Sequence, residues 1–390
     1  MRPLAILTLV LATLGAPALG RAQAIAPTAA PTPSAYTPSR LGGIRSWGYQ
    51  LQRLDLARIE HSPYDLVVVD ASRTGAEATS LTPDDVARLQ RKPDGSRRVV
   101  LAYMSIGEAE DYRFYWRDAW VETISIPEAG GAAAATQTRS PTGDGAPPLR
   151  LTPLRLPKLT APLWLGRENE SWAGNFHVRF WDPDWQSIIL GADGYLARLL
   201  KAGFDGVYLD RVDAFQAIAT DRPAARGEMV RLVIAIAEAA RKVKPGFVVV
   251  PQNGEQLLSD PAYLAVVDGI AKEDLFYGED RDGDRNPQSS VTRSLRWLAP
   301  AVNRSLPVLV VEYVQARALV EMLKADIAGR GFIPYFGVRA LDRLMLPEDD
   351  AARQPAPLLP ALKPPGTSPA QKRPEANRAD HRRQGGEPVR

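Results

Sequence analysis

The chain has 390 residues, of which 45% are hydrophobic and 24% are charged, and these values are typical of a globular protein with a sizeable core. It contains no cysteine, which excludes a disulfide scaffold, thiolate zinc sites and cysteine nucleophiles. The formal net charge is +3; removing the +5 of residues 351–390 and the +2 of residues 1–24 leaves about −4 for residues 25–350. The body of the chain is therefore mildly acidic, and its charge gives no argument for a nucleic-acid partner.

The N-terminus has the three parts of a secretory signal peptide. Arg2 precedes an apolar run at residues 4–14, and Ala22-Gln23-Ala24 has the small-x-small form of a cleavage site. A membrane anchor is the alternative, but this apolar run is too short to span a bilayer. We therefore expect residues 1–24 to be cleaved and the mature protein to be secreted or periplasmic, without stable membrane insertion.

Three further segments differ in composition from a folded core. Residues 25–43 are rich in Pro, Ala, Ser and Thr, which predicts a flexible leader. Residues 127–160 form a low-complexity insert without sustained periodicity, and we interpret it as a surface loop. The composition of residues 346–390 predicts a disordered tail, because most of this segment is rich in Pro, Gly, Arg and Gln. Residues 44–345 remain as a single domain.

Within this domain, short β-branched and apolar runs alternate with helical stretches. Several runs, such as LVVVD and VLVVE, are apolar throughout, as expected of strands buried on both faces. Eight such units in about 300 residues predict an α/β fold, a (β/α)8 TIM barrel. An open doubly wound sheet is the main alternative, but no GxGxxG turn follows the first strand. The predicted strands are Trp47–Leu51, Leu66–Asp70, Val99–Ser105, Gly206–Asp210, Phe247–Gln252, Val267–Lys272, Val308–Glu312 and Phe332–Phe336.

The carboxyl ends of the strands hold the active site in a TIM barrel. A single acid after a single strand is best interpreted as a cap of the following helix or loop. Acids follow five or six of these strands, however, and this pattern predicts an acidic cup with aromatic walls. We also expect the segment from Trp164 to Trp185 to cover the barrel mouth and to offer Trp172 as a stacking residue. The predicted substrate-binding residues are Asp70, Tyr103, Glu108, Asp213, Asn253, Glu255, Glu312, Tyr335 and Trp172.

The side chains in this cup limit the chemistry. The only histidines are His61, His177 and His381, and none follows a predicted strand, which disfavours a Ser-His-Asp triad or a His-rich metal site. Two carboxylates suffice to hydrolyse a glycosidic bond, and aromatic side chains suit sugar faces. No metal or other cofactor is predicted. Since side chains alternate along a strand, only one of Glu273 and Asp274 should face the cup, and Glu255 is a further alternative.

Four blocks of sequence together resemble glycoside hydrolase family 114, which is typified by endo-α-1,4-polygalactosaminidases. They are LAYMSIGEAEDYR (residues 101–113), GFDGVYLDRVDAF (203–215), PQNGEQL (251–257) and IAKEDLFYG (270–278). The resemblance covers about residues 44–345 and implies catalytic carboxylates at Asp210 and Glu273. It further implies that Asp210 is the nucleophile and Glu273 the general acid/base.

The acidic cup suits a cationic amino-sugar polymer, because opposite charge raises the local concentration of substrate. We therefore expect an exported glycoside hydrolase, with retaining and inverting mechanisms both open. A non-catalytic, exported glycan-binding barrel is the alternative from another class, and a hydrolase with a metal held by Asp and Glu ligands is a weaker one.

Overall fold

The structure, a computed structural model, describes residues 40–127 and 151–353. Strands and helices are numbered in chain order. The strands are β1 (Trp47–Gln50), β2 (Leu66–Val69), β3 (Val99–Ser105), β4 (Glu108–Glu110), β5 (Val121–Pro127), β6 (Leu151–Pro157), β7 (Leu165–Asn169), β8 (Trp172–Val178), β9 (Gly206–Asp210), β10 (Val248–Pro251), β11 (Ile270–Glu273), β12 (Val308–Glu312) and β13 (Ile333–Phe336). The helices are α1 (Leu56–Glu60), α2 (Pro83–Leu89), α3 (Pro183–Leu190), α4 (Tyr195–Ala202), α5 (Phe215–Ile218), α6 (Ala225–Val243), α7 (Pro261–Val266), α8 (Gln288–Asn303) and α9 (Arg317–Gly329).

Eight parallel strands form a closed barrel, and this confirms the predicted TIM-barrel fold. Five strands pair in the order β1-β2-β3-β9-β10, and three pair in the order β11-β12-β13. A parallel bridge between Gln252 and Ala271 joins the two groups at one junction. At the other junction, Trp47 Nε1 donates a hydrogen bond to the carbonyl of Ile333 at 2.9 Å. All eight strands therefore present their carboxyl ends at one mouth.

Aromatic side chains fill the barrel interior below that mouth. Trp47, Tyr49 and Tyr208 have at most 2% of their surface exposed. The ring centroids of Tyr49 and Tyr208 lie 5.1 Å apart, and those of Trp47 and Tyr335 lie 5.5 Å apart. Such packing excludes water from the floor of the cup, which lowers the local dielectric beneath the strand ends.

The helices begin where the sequence indicates. Thr82 caps α2 in a reciprocal capping box with Asp85. Asp182 caps α3, whose first residue is Pro183. After β13, a 3₁₀-helix at Pro347–Ala352 occupies the place of an eighth helix in the part of the chain that the structure describes.

The long connection between β3 and β9 contains antiparallel structure that the sequence analysis did not predict. Strands β4, β8 and β7 form one sheet, and β5 pairs with β6 as a hairpin. The surface loop predicted for residues 127–160 is therefore wrong for residues 151–157, which form β6. Alternation is hard to recognise in β6, since LTPLRLP contains two prolines. Residues 128–150 of the insert lie outside the described residues.

The folded domain extends beyond both of its predicted boundaries. Leu41, assigned to the flexible leader, has only 1% of its surface exposed. Residues 346–353, assigned to the disordered tail, pack on the barrel: Arg353 is 8% exposed and donates to the carbonyls of Phe336 at 2.6 Å and Val314 at 3.1 Å. The remaining parts of the predicted leader and tail, and the predicted signal peptide, lie outside the described residues. None of the described helices is long and apolar enough to cross a membrane.

These contacts define where the chain can be shortened. We expect residues 40–353 to unfold cooperatively with the stability of the full chain, because the composition beyond those limits does not favour a core. A shorter body of residues 44–350 should lose about 3 kcal/mol of unfolding free energy, since it lacks buried Leu41 and the hydrogen bonds of Arg353. Urea unfolding of both bodies checks this. Equal midpoints would show that these contacts do not stabilise the barrel.

Candidate active site

At the mouth, the polar residue at the end of each of three neighbouring strands is followed by a residue with a left-handed backbone. Strands β9 and β11 end at Asp210 and Glu273, and Gln252 directly follows β10. The next residue in each case has a left-handed backbone: φ is 58° at Arg211, 57° at Asn253 and 52° at Asp274. This conformation costs about 1–2 kcal/mol for an ordinary side chain such as that of Arg211, and Asn and Asp tolerate it better. The turns hold Asp210, Gln252 and Glu273 at the strand tips, and strain of this kind is concentrated at functional sites.

Asp210 lies half-buried in the cup, and its Oδ2 accepts a hydrogen bond of 2.7 Å from the phenol of Tyr103. Burial raises the pKa of Asp210 from 3.8 to about 7. The Tyr103 hydrogen bond opposes this rise, whereas the negative charge of Glu273 adds to it. The two carboxylates are therefore close enough to interact electrostatically.

Glu273 has a similar environment. Its Oε1 accepts a hydrogen bond of 2.5 Å from the Tyr313 phenol, and its Oε2 accepts one of 2.8 Å from Gln252 Nε2. Gln252 is oriented in turn by Tyr49, whose hydroxyl donates to Gln252 Oε1 at 3.3 Å. Burial raises the pKa of Glu273, and the Tyr313 hydrogen bond opposes that rise. Burial thus acts in the same direction on both carboxyls and favours their protonated forms.

Three predicted binding residues lie beside Glu273. A cavity of about 360 Å³ is lined by Glu273 together with Asp213, Asn253 and Glu255. Asn253 Oδ1 accepts hydrogen bonds of 3.2 Å from the Glu273 backbone N–H and from Lys272 Nζ. The cavity continues between the 3₁₀-helix at Glu255–Ser259 and α8, where it reaches Trp297. It is large enough to hold part of a polymer chain.

The acids on the other side of the mouth are paired with arginines. Arg113 forms a bidentate ion pair with Asp70 at 2.9 and 2.7 Å, and it also binds Glu110 at 2.7 Å. Asp70 is 4% exposed and also accepts the Ser72 N–H at 2.8 Å. The prediction that Asp70 contacts substrate is therefore not supported by its position, since its oxygens are already bonded internally.

Glu108 joins the barrel to the β7–β8 hairpin. It is 1% exposed, accepts a hydrogen bond of 2.8 Å from Asn169 Nδ2, and lies 3.0 Å from Arg211 Nε. Glycine is required at position 107, because a Cβ there would lie 2.2 Å from the Arg211 carbonyl oxygen. Glu108 thus holds Arg211, the residue that follows Asp210, in place. Its effect on the site is indirect, because it does not line the cavity.

Two other predicted binding residues lie in the interior. Glu312 is fully buried, and its carboxylate accepts the backbone N–H groups of Phe276 at 2.8 Å and Tyr277 at 3.2 Å. The Tyr335 hydroxyl donates to the Tyr49 carbonyl at 3.1 Å and accepts the Met345 N–H at 3.0 Å. Backbone groups already use the polar atoms of both residues, so their positions do not support the prediction that they contact substrate. Their strand-end positions could not reveal this.

Tyr103, Trp172 and Asp274 occupy distinct positions. Tyr103 reaches the cup through its bond to Asp210. Trp172 begins β8 and has 50% of its surface exposed, whereas Trp164 and Trp185 at the ends of the same segment are buried. Asp274 binds Arg339 through both of its carboxylate oxygens, and it also lines the cavity beside Glu273.

The sequence analysis did not select Gln252, Lys272 or Tyr313 for the site. Gln252 and Tyr313 touch Glu273 directly, and Lys272 lines the same cavity. Strand-end position was the available signal, since Gln252 follows β10 and Tyr313 follows β12. Over the described residues, no group of three or more His, Cys, Asp or Glu side chains is arranged to hold a metal ion.

Comparison with solved structures gives the class of barrel. The glycoside hydrolase domain of PelA from Pseudomonas aeruginosa is 22% identical, with a TM-score of 0.51, over 77% of this chain and 97% of that domain. Ega3 of Aspergillus fumigatus, solved in complex with galactosamine, is 16% identical, with a TM-score of 0.50, over 80% of this chain and 100% of that one. Both similarities show that the fold is the TIM barrel of these glycoside hydrolases.

Comparison of sequences gives the family. The profile of glycoside hydrolase family GH114 matches residues 156–353. An uncharacterized protein of Deinococcus radiodurans is 33% identical over 89% of this chain and 99% of its own length. One from Methanocaldococcus jannaschii is 31% identical over 76% of this chain and 77% of its own length. The chain belongs to glycoside hydrolase family GH114, as its sequence blocks predicted.

The raised pKa of Asp210 has a consequence for stability. A carboxyl whose pKa is raised to about 7 on folding contributes stability below pH 4, and that contribution is lost as the pH rises towards 7. Asp210→Asn should therefore be about 1–2 kcal/mol more stable than the unmodified protein at pH 8, since solvent at the half-buried carboxyl screens part of its charge, and equally stable at pH 4. Urea unfolding at both pH values, with exposed Asp193→Asn as control, measures this. A pH-independent difference would contradict the burial argument.

Proposed function

We propose that this protein is an exported glycosidase that hydrolyses an amino-sugar polysaccharide with Asp210 and Glu273 as its catalytic carboxylate pair. One observation carries the proposal. Asp210 and Glu273 stand at the tips of β9 and β11, and each accepts a hydrogen bond from a tyrosine phenol. Glycoside hydrolysis requires one protonated and one ionised carboxyl, and burial, which raises the pKa of both carboxyls, favours protonation of one of them.

The hydrogen bonds define how the pair would work. A tyrosine phenol donates to each carboxylate, and Gln252 gives Glu273 a second donor. These neutral donors orient the carboxyls without neutralising them, so either carboxyl can release or accept a proton as a sugar binds. We assign Asp210 as nucleophile and Glu273 as general acid/base. The acid donates its proton to the leaving oxygen, and the ionised partner attacks or stabilises the sugar cation.

The cavity lining supports a cationic substrate. Its acids are Asp213, Glu255, Glu273, Asp274 and Glu279, against the cations Lys272 and Arg293. The excess of acids favours a polymer that carries free amino groups. PelA and Ega3 share the fold, and the galactosamine in the Ega3 complex agrees with this class of ligand. We therefore propose a polygalactosamine-like substrate and endo cleavage.

The catalytic pair is tested by isosteric substitution. Asp210→Asn and Glu273→Gln should each lower kcat by at least about a hundredfold, because each removes a group required in the transition state. The affinity for polymer should change far less. The assay uses purified, partly deacetylated amino-sugar polymers, with products identified by mass spectrometry and binding measured by calorimetry.

Exposed Glu238→Gln on α6 serves as the control and should keep full activity. If the unmodified protein binds the polymers but cleaves none of them, a non-catalytic glycan-binding barrel is favoured. If either isosteric variant retains near-normal turnover, the assigned pair is wrong, and Glu255 or Asp213 becomes the next residue to test.

Trp172 is proposed to bind substrate by stacking on a sugar ring. Because half of its surface is exposed, Trp172→Ala should weaken polymer binding by about 1 kcal/mol with little loss of stability. Calorimetric titration of the inactive Asp210→Asn background, with and without Trp172→Ala, measures the difference. Leu163→Ala, which removes an exposed aliphatic side chain that cannot stack on a sugar ring, is the control. An unchanged affinity with a large drop in Tm would assign Trp172 to packing.

A further inference from the structure

We infer that Arg339 is a positioning residue for the reaction: it holds Tyr313 and Asp274 in place and so fixes the carboxylate of Glu273. This inference rests on the proposed function, since it concerns the proposed acid/base. Arg339 follows β13 and lines no part of the cavity beside Glu273. It therefore acts on Glu273 through its neighbours.

The guanidinium of Arg339 makes two kinds of contact. Its two terminal nitrogens bind the two oxygens of Asp274, both at 2.9 Å. Its central carbon lies 4.3 Å from the centroid of the Tyr313 ring. The hydroxyl of that same ring donates the 2.5 Å hydrogen bond to Glu273. One planar group thus supports both the backbone neighbour of Glu273 and its phenolic donor.

The local backbone is built around this pair. Asp274 has a left-handed φ of 52°, and its carbonyl accepts a hydrogen bond of 2.8 Å from Asn286 Nδ2. Gly278 has φ of 98°, and a Cβ there would lie 2.6 Å from Asp274 Oδ1 and 2.9 Å from Arg339 Nη2. The chain therefore leaves space at Gly278 for the ion pair. Asp282 lies on the other edge of the guanidinium, with its Oδ1 2.6 Å from Arg339 Nε.

Charge reinforces the geometry. The charged groups near Glu273 are Asp210 on β9, Lys272 on β11, Asp274 directly after β11 and Arg339 after β13, together with Asp213 and Glu255 in the cavity lining. Arg339 and Lys272 lower the pKa of Glu273, whereas Asp274 raises it. Tyr49, Tyr208 and Tyr313 also lie near it, but burial raises their own pKa values and keeps them neutral. Loss of Arg339 would remove one favourable charge and leave that of Asp274 uncompensated.

The experiment compares Arg339→Gln with Arg339→Lys. Arg339→Gln should lower kcat about ten- to a hundredfold with KM changed less than about threefold, because Glu273 loses its fixed geometry. The limb of the pH profile that belongs to Glu273 should move to higher pH, because the positive charge of Arg339 lowers the pKa of that carboxyl. Arg339→Lys keeps the charge but not the bidentate, stacked contact, so it should restore the pH limb and only part of kcat.

Arg222 provides a matched control. It forms a bidentate pair with Glu228 at 2.7 and 2.7 Å and stacks at 4.2 Å on Trp181, away from the cavity. Arg222→Gln removes the same two kinds of contact and should leave kcat and the pH profile unchanged. If Arg339→Gln lowers Tm and activity without moving the limb, Arg339 is merely structural and the inference is overturned.

A second readout separates this inference from the proposed function. The carboxyl ¹³C signal of Glu273, identified by its loss in Glu273→Gln, reports its titration without any substrate. An upward shift of that titration in Arg339→Gln supports the positioning role even if no polymer is cleaved, and in that case only the proposed function fails. An unchanged titration, with polymer cleavage intact in the unmodified protein, rejects the positioning role alone.

Discussion

The structure depends on one constraint: many carboxylates lie together at one end of a barrel whose packed interior excludes water. Parallel strands bring their carboxyl ends together, so acids that are far apart in the chain meet around a floor of packed aromatic rings. Burying like charges in such a place is unfavourable unless each is paired, bonded or protonated. The arrangement of the mouth follows from which of these three solutions each acid has.

Arginine pairing divides the acids into two groups. Asp70 and Glu110 share Arg113, Glu108 faces Arg211, and Asp274 binds Arg339. Among the described residues, neither Asp210 nor Glu273 forms an ion pair, and each is instead held by a tyrosine. Burial raises the pKa of both carboxyls, and a raised pKa is a property that acid/base chemistry can use. The paired acids hold the strand ends in place, and the two acids held by tyrosines are the proposed catalytic pair.

The sequence predicts the barrel well because the signal is repeated. Strands such as Val99–Ser105 and Gly206–Asp210 match their predicted bounds, because a short and largely apolar run is typical of a strand buried on both faces. It predicts the site less completely. Nothing in the local pattern distinguishes Glu312, which binds two backbone N–H groups, from Glu273, which faces the cup. That distinction depends on loops folding back over the strand ends, and those contacts are non-local.

The same reasoning explains why the strained residues lie where they do. Arg211, Asn253 and Asp274 each adopt a left-handed backbone, which is unfavourable for Arg and less so for Asn and Asp. Each is also anchored: Arg211 at Glu108, Asn253 at the Glu273 N–H, and Asp274 at Arg339. These contacts offset the local cost and make the turns rigid, so Asp210, Gln252 and Glu273 are presented with little freedom. In the proposed reaction, rigid presentation would spare these groups a reorganisation, and the ion pairs that anchor the turns would support it.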